Sequence, residues 1–288
     1  MLPMQTLRIA LLTSLALLAF AANSLLCRLA LAGKHADPAS FNAIRLVSGA
    51  LVLGAIVMLR NDKSIGRGNW LSALALFVYA AGFSFAYVGL TASTGALLLF
   101  GAVQGTMIGV GLYRGERLRM LQTIGFLSAI VGLLLLLLPG LAAPPLSSSL
   151  LMLTAGVAWG IYSLRAKAAG DPTRVTAGNF LRAAPIAIAS SSLVWLANPI
   201  TVQVDHAGLL YALASGALAS GLGYAVWYAA LRDLPATLAA TLQLSVPVIA
   251  SLGGIVFLSE RLSDTLLIAA ALTLGGMAMV IFYRTSTK

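Results

Sequence analysis

Three aromatic residues recur four positions apart within the segment 79–87. Tyr79, Phe83 and Tyr87 stand at positions i, i+4 and i+8, so a helix places them on one face. Tyr224 and Tyr228 repeat part of this stripe later in the chain. Aromatic rings bury apolar groups and attract an ammonium group to their faces. The stripe indicates a binding surface for a small molecule, with anchoring at a membrane interface as the competing interpretation.

Other aromatic and uncharged polar residues stand near the middle of separate apolar segments. The predicted substrate-binding residues are Trp159, Tyr79, Phe83, Tyr162, Asn23, Gln104, Tyr224, Gln243 and Ser245. Any one of them is equally well explained as a helix–helix hydrogen bond or an interfacial aromatic. Their occurrence at similar depth on several predicted helices favours a shared cavity.

The ionisable side chains point away from acid–base chemistry. All eight acidic residues and both histidines fall in predicted loops or at predicted helix ends. Proton-driven carriers and exporters of lipophilic cations usually keep a carboxylate within the membrane. The single cysteine, and the absence of HExxH, GxxxxGK[ST] and CxxC patterns, predict no catalytic residue, no metal site and no cofactor.

The composition predicts a membrane protein. Hydrophobic residues make up 60% of the chain and charged residues only 9%, whereas a soluble domain carries about 25% charged residues. Apolar runs long enough to cross a bilayer recur without the period-two alternation of a β-barrel. We therefore predict an all-α integral membrane protein with ten transmembrane helices, at about 9–31, 41–59, 70–90, 92–112, 120–139, 149–169, 175–197, 207–230, 235–258 and 264–283.

The basic residues that give the net charge of +10 are unevenly distributed between the predicted loops. With both termini placed inside, thirteen Lys and Arg residues fall on inner ends and loops and two on outer loops. This bias follows the positive-inside rule, so it indicates orientation in a lipid bilayer and no nucleic-acid partner. The remaining three, Arg28, Arg45 and Arg182, lie near helix ends, and we expect them to reach the headgroups.

The chain contains an internal duplication. Shifted by 144 residues, 90–118 aligns without a gap to 234–262, and Glu-Arg-Leu at 116–118 meets Glu-Arg-Leu at 260–262. We predict two five-helix repeats, residues 1–143 and 144–288, of which the second is inverted because five is odd. We interpret each Glu-Arg-Leu as a solvated turn with a local ion pair.

Two single helices have features of their own. Gly101, Gly105 and Gly109 predict a face for close packing on the fourth helix, and Pro247 predicts an interruption of the ninth.

These features resemble the drug/metabolite transporter superfamily. The resemblance rests on two five-helix repeats, GERL and SERL after the fourth helix of each, a glycine in each fifth helix, and AWGIY at 158–162. Within it, the chain is most similar to ten-helix EamA-type exporters, including bacterial exporters of aromatic amino acids. The resemblance implies a bacterial cytoplasmic (inner) membrane, cytoplasmic termini, and a central cavity lined mainly by helices 1, 3, 4, 6, 8 and 9.

The leading functional hypothesis is export of small neutral metabolites, above all aromatic or other apolar amino acids, by alternating access. A broad-specificity metabolite or drug permease is the alternative within transport. A non-transporting membrane scaffold or lipid-handling protein is the alternative from another class. The pattern leaves open which substrate is carried, what drives transport and which oligomeric state the protein adopts.

Overall fold

A computed structural model describes residues 4–60, 66–115, 117–138, 143–166, 170–197, 202–231, 233–234 and 236–285. Within these ranges the chain forms ten helical spans and only one isolated β-bridge. The spans are α1 (Met4–Ala32), α2 (Pro38–Leu59), α3 (Trp70–Ala86), α4 (Ala92–Tyr113), α5 (Met120–Leu137), α6 (Leu146–Ala166), α7 (Pro172–Ala197), α8 (His206–Leu231, in three segments), α9 (Ala236–Gln243 and Ser245–Leu258) and α10 (Asp264–Thr285).

The helices have the length and polarity of membrane spans. Among the described residues, nine are long and apolar enough to cross a bilayer, and α3 is a shorter apolar helix. Large apolar side chains such as Leu193, Leu196 and Val256 are exposed on the outside of the bundle, where lipid would cover them. The helical fold class predicted from the sequence is confirmed.

The two Asp-Pro dipeptides begin equivalent helices. Asp37 accepts hydrogen bonds from the backbone N–H groups of Ala39 and Ser40 at the start of α2. Asp171 accepts one from the backbone N–H of Arg174 at the start of α7. Each proline follows directly, at a position where its missing N–H costs no hydrogen bond.

Helix packing is symmetric between the halves. Helices α5 and α10 pack together, as do α2 and α7. Helix α6 packs on α3 and α4, and its counterpart α1 packs on α8 and α9. A shift of five helices therefore maps the α5–α10 and α2–α7 contacts onto themselves, and maps the contacts of α6 onto those of α1. Successive helices joined by short loops alternate in direction, so the second set of five runs opposite to the first.

The two ends of the bundle are named by the chain termini. We call the end where α1 begins and α10 ends the N/C end, and the other the opposite end.

Glycine contacts set the closest approaches, but at other positions than the sequence predicts. A Cβ atom at Gly105 or Gly109 would meet nothing within 4 Å, so the predicted packing face on α4 is wrong at these two positions. The close approach of α4 and α6 depends instead on Gly156 and Gly160 of α6. A Cβ atom added at these positions would come within 2.6 and 3.2 Å of backbone carbonyl oxygens of α4. The small residues that matter are on the partner helix, which a single-helix pattern does not identify.

Two helices of the second half are irregular. Residues Ala214–Leu222 of α8 form a π-helical segment, which widens the helix beside the bundle centre. Helix α9 is interrupted at Leu244, three residues before Pro247, as the sequence predicts. Ser245 satisfies one carbonyl at this interruption, because its Oγ donates to the carbonyl of Leu242 at 2.6 Å.

Candidate functional site

A cavity of about 360 Å³ lies inside the bundle. It reaches the N/C end, because Gly170 and Pro172 of the α6–α7 turn and Leu231 at the end of α8 belong to its wall. We call it the larger cavity. Its lining is completed by Val103, Met107, Trp159, Ser163, Tyr224, Trp227, Tyr228, Ala239, Ala240 and Gln243.

A second space of about 20 Å³ lies deeper in the bundle, and we call it the smaller cavity. Its lining residues are Phe20, Asn23, Ser24, Tyr79, Phe83, Leu99, Phe100, Trp159, Tyr224 and Gln243. Trp159, Tyr224 and Gln243 line both spaces, so these three side chains separate them. The lining comes from α1, α3, α4, α6, α8 and α9, with the start of α7 added. This agrees with the cavity helices implied by the resemblance.

Trp159 is the centre of an aromatic cluster. Its ring centroid lies 4.8 Å from that of Tyr79 on α3 and 5.1 Å from that of Tyr224 on α8. Tyr162, one turn along α6, stacks on the indole with ring centroids 5.3 Å apart. The rings of Tyr79 and Tyr224 are tilted to the indole by 44° and 45°, and ring pairs at these distances that avoid a face-to-face sandwich are favourable. The cluster therefore joins both halves at mid-depth and presents aromatic surface to both cavities.

The predicted residues divide into two groups. Trp159, Tyr79, Phe83, Asn23, Tyr224 and Gln243 line one or both cavities. Gln104, Tyr162 and Ser245 line neither. Tyr162 is buried and ties α6 to α7 through Thr176 and Asn179. The roles of all nine in binding stay predictions.

Sequence reasoning missed several lining residues. Trp227 follows Tyr224 by one helical turn and is on the same wall, so the stripe on α8 extends further than predicted. Met107 and Ser163 also line the larger cavity, and their types give no signal in a sequence of this composition. Helical spacing from Tyr224 could have identified Trp227.

A chain of polar contacts crosses four helices beside the smaller cavity. Ser215 Oγ donates to Asn23 Oδ1 at 2.5 Å, and Asn23 Nδ2 lies 3.5 Å from the hydroxyl of Tyr79. Arg45 Nη2 donates to the same hydroxyl at 3.2 Å. Ser215 belongs to the π-helical segment, so that irregular segment takes part in the chain.

The expectation that Arg45 reaches the headgroups is wrong. The residue is only 1% exposed, and its guanidinium lies over the rings of Tyr79 and Phe83, at 5.3 and 4.8 Å from their centroids. The reason is orientation: α2 turns this face towards α3 rather than towards lipid. The Asn-x-x-Arg at 42–45 repeats at 179–182, but Arg182 is only partly buried, so the motif alone does not predict the burial of Arg45.

The opposite end is closed by an ion pair. The carboxylate of Glu260 accepts the backbone N–H of Ala92 at 2.9 Å and pairs with Arg28 Nε at 3.3 Å. Arg28 also donates to the carbonyls of Tyr87 and Val88. The Glu260 side chain is only 8% exposed. The solvated-turn interpretation is therefore wrong for this copy, and Glu116 of the other copy lies outside the described residues.

Local backbone conformation brings Glu260 inward. Ser259 ends α9 in the left-handed conformation, with φ of 53°, and the N–H of Glu260 then bonds back to the carbonyl of Gly254. The carboxylate thereby reaches the N-terminus of α4, where free N–H groups favour a negative charge. The acidic residue joins α1, α4 and the α9–α10 turn.

A second set of contacts closes the same end. Asp205 pairs with His35 at 2.8 Å, and Asp37 accepts the N–H of Gln203 at 3.1 Å. The backbone N–H of Gly208, with a smaller contribution from His35, lowers the pKa of the Asp205 carboxyl below its ordinary value. The carboxylate is thus ionised at neutral pH and holds the α1–α2 turn against the α7–α8 connection.

Comparison with known proteins agrees with this architecture. The sequence profile of the EamA-like transporter family matches residues 7–138 and again residues 146–282. The chain belongs to the EamA-like transporter family. An uncharacterized protein of Pseudomonas aeruginosa is 56% identical over 275 residues, which cover 95% of this chain and 94% of that protein. An uncharacterized transporter of Bacillus subtilis, YwfM, is 27% identical over 261 residues, covering 87% and 86% respectively.

Solved structures share the fold, and one crystal structure illustrates the similarity. It superposes with a TM-score of 0.64 and covers 96% of this chain and 98% of its own, at 22% identity. The similarity at this identity shows the fold alone. Family membership makes the chain a multi-pass membrane transporter.

Proposed function

We propose that this EamA-like transporter exports small neutral metabolites across the bacterial cytoplasmic membrane, and that aromatic or other apolar amino acids are its main substrates. The observation that carries the proposal is the aromatic cluster around Trp159, which lines both cavities near mid-depth. Aromatic faces bury an apolar side chain and attract an ammonium group.

The size and polarity of the larger cavity support a small substrate. Its volume of about 360 Å³ is at the low end of ligand pockets, which span about 300–1,000 Å³. Gln243 and Ser163 supply neutral hydrogen-bonding groups to a wall that is otherwise mainly aromatic and aliphatic. No described acidic residue lines either cavity, so a net cation would lack a counter-charge there.

The mechanism that we propose is alternating access between two inverted repeats, residues 1–143 and 144–288. In this conformation the larger cavity reaches the N/C end, while Arg28 and Glu260 close the opposite end. Transport requires that these opposite-end contacts break when contacts at the N/C end form. One contact at the N/C end, between Arg60 and Asp171 at 3.5 Å, is already present in this conformation, so further contacts at that end must form to close the larger cavity.

The orientation is a testable part of the proposal. Because basic residues concentrate at the N/C end, we expect both termini in the cytoplasm. Reporter fusions after Lys288 should report inside, and fusions within residues 140–148, where the two repeats are joined, should report outside. A periplasmic reporter at the C-terminus would contradict this orientation.

Counterflow in proteoliposomes tests the substrate class. Vesicles loaded with unlabelled phenylalanine, tryptophan or leucine should accumulate the labelled form of the same amino acid. Vesicles loaded with glutamate or lysine should accumulate the corresponding labelled amino acid much less. Counterflow of many unrelated metabolites and drugs at similar rates would favour the broad permease. Absence of counterflow for every compound, together with a cavity that labelling reagents reach from one side only, would favour the scaffold.

A further inference from the structure

Arg45 is a cation inside the membrane-spanning bundle. It lies seven residues into α2 (Pro38–Leu59), about 10 Å along the axis at ~1.5 Å per residue. Arg45 is only 1% exposed. An arginine stays protonated in proteins, so burial does not remove its charge. An intramembrane charge of this kind is costly and usually functional.

The guanidinium is only partly satisfied. Nη2 donates to the Tyr79 hydroxyl, whereas Nε and Nη1 have no hydrogen-bond partner among the described residues. No described carboxylate forms a salt bridge with Arg45. The Tyr79 and Phe83 ring faces compensate a buried cation less than a carboxylate would. The site therefore carries an excess of positive charge.

Tyr79 connects this charge with the smaller cavity. Its hydroxyl oxygen is within hydrogen-bond distance of two donors, Arg45 Nη2 and Asn23 Nδ2. With its lone pairs used in this way, the hydroxyl has its own proton to donate to a further group. Tyr79 and Asn23 both line the smaller cavity, whose volume of about 20 Å³ holds one or two water-sized groups. That is room for the polar end of a substrate only.

We propose that the smaller cavity binds a carboxylate of the substrate. The Tyr79 hydroxyl donates a hydrogen bond to the carboxylate, and Arg45 supplies the balancing charge behind it. Trp159 and Tyr224, which line both cavities, then contact the rest of the molecule. This inference rests on the proposed transport function and adds to it that the carried molecule has an anionic end.

The second repeat offers a matched comparison. Arg182, equivalent to Arg45 in the duplicated Asn-x-x-Arg, donates to the carbonyls of Arg67 at 2.7 Å and Gly178 at 2.8 Å. It is partly exposed and lines neither cavity. Its charge is engaged by backbone carbonyls, so removing it should not change anion binding. The positive site is thus specific to the first repeat.

The experiment compares two probes of the same shape, 3-phenylpropionate and 3-phenylpropionamide, bound to the purified full-length protein. We expect the wild type to bind the carboxylate at least about tenfold more tightly, as a charge-assisted hydrogen bond and a buried counter-charge predict. Arg45→Met should remove this preference, Arg45→Lys should keep most of it, and Arg182→Met should keep all of it. An unchanged preference in Arg45→Met would overturn the proposal.

Two further readouts separate this inference from the transport proposal. Tyr79→Phe keeps the ring but removes the hydroxyl, so it should lower the carboxylate preference even if Arg45→Met fails to fold. Phenylalanine counterflow with a preference that does not depend on Arg45 would reject the carboxylate site and leave the transport function standing. An Arg45-dependent preference without any amino-acid counterflow would reject the substrate class and leave the anion site standing.

Discussion

Replacing Trp159 by alanine should lower the transport of aromatic amino acids by roughly thirtyfold, equivalent to about 2 kcal/mol of lost substrate contact. Trp159 lies between Tyr79 and Tyr224 and lines both cavities, so its removal opens the wall that separates them. The effect should be larger for bulky substrates than for small ones, since small substrates bury less surface against the indole.

The control for this variant is another tryptophan. Trp70 begins α3, is 63% exposed and lines neither cavity, so Trp70→Ala should transport normally. Transport by the two variants is compared at equal amounts of protein in the membrane, with variants that are monodisperse when purified. Normal transport of every substrate by Trp159→Ala would show that the substrate binds elsewhere. Tyr79→Ala should resemble Trp159→Ala, because it removes the adjacent ring and also the hydroxyl that Arg45 contacts.

Neutralising Glu260 should open the end of the bundle that this structure shows closed. The carboxylate holds Arg28 and the N-terminus of α4 together. Breaking a largely buried pair of this kind costs a few kcal/mol, of which Glu260→Gln should recover part by hydrogen bonding. A remaining cost of about 2 kcal/mol would shift the ratio of open to closed protein roughly thirtyfold.

Cysteine labelling measures this shift. Ser24 lines the smaller cavity and is 1% exposed, and Cys27 is the sole native cysteine. With Cys27→Ala as background, Ser24→Cys should react slowly with a membrane-impermeant maleimide added outside. Addition of Glu260→Gln should accelerate labelling, whereas Arg261→Gln, which removes an exposed charge from the same turn, should not. Equal labelling rates in both variants would show that Glu260 does not hold the opposite end closed.

The helices and their pairing in two halves follow from local properties of the sequence. Apolar length predicts each span, the Asp-Pro dipeptides at 37–38 and 171–172 mark equivalent helix starts, and Pro247 marks a real interruption of α9. The aromatic stripe of Tyr79 and Phe83 also faces a cavity as helical spacing suggests. Periodicity, capping and proline act within a few residues, so one sequence is enough to read them.

Features that depend on contacts between residues far apart in the sequence were not predictable. The sequence places Arg45 and Glu260 near helix ends, where solvation is the simpler interpretation. Their burial depends on Tyr79 and on Arg28 and Ala92, residues 34, 232 and 168 positions away. The same is true of α4, whose close contacts are made by Gly156 and Gly160 of α6. The π-helical segment of α8 likewise has no signature in local propensity.

Exchange of labelled phenylalanine tests the central claim most directly. Purified protein is reconstituted into vesicles with equal pH on both sides, a protonophore collapses any gradient, and uptake is compared between vesicles with and without unlabelled phenylalanine inside. Because no described carboxylate or imidazole lines either cavity, we expect internal phenylalanine to accelerate uptake without a proton gradient. Uptake that internal phenylalanine does not accelerate, in vesicles where the protein is folded and correctly inserted, would contradict the account.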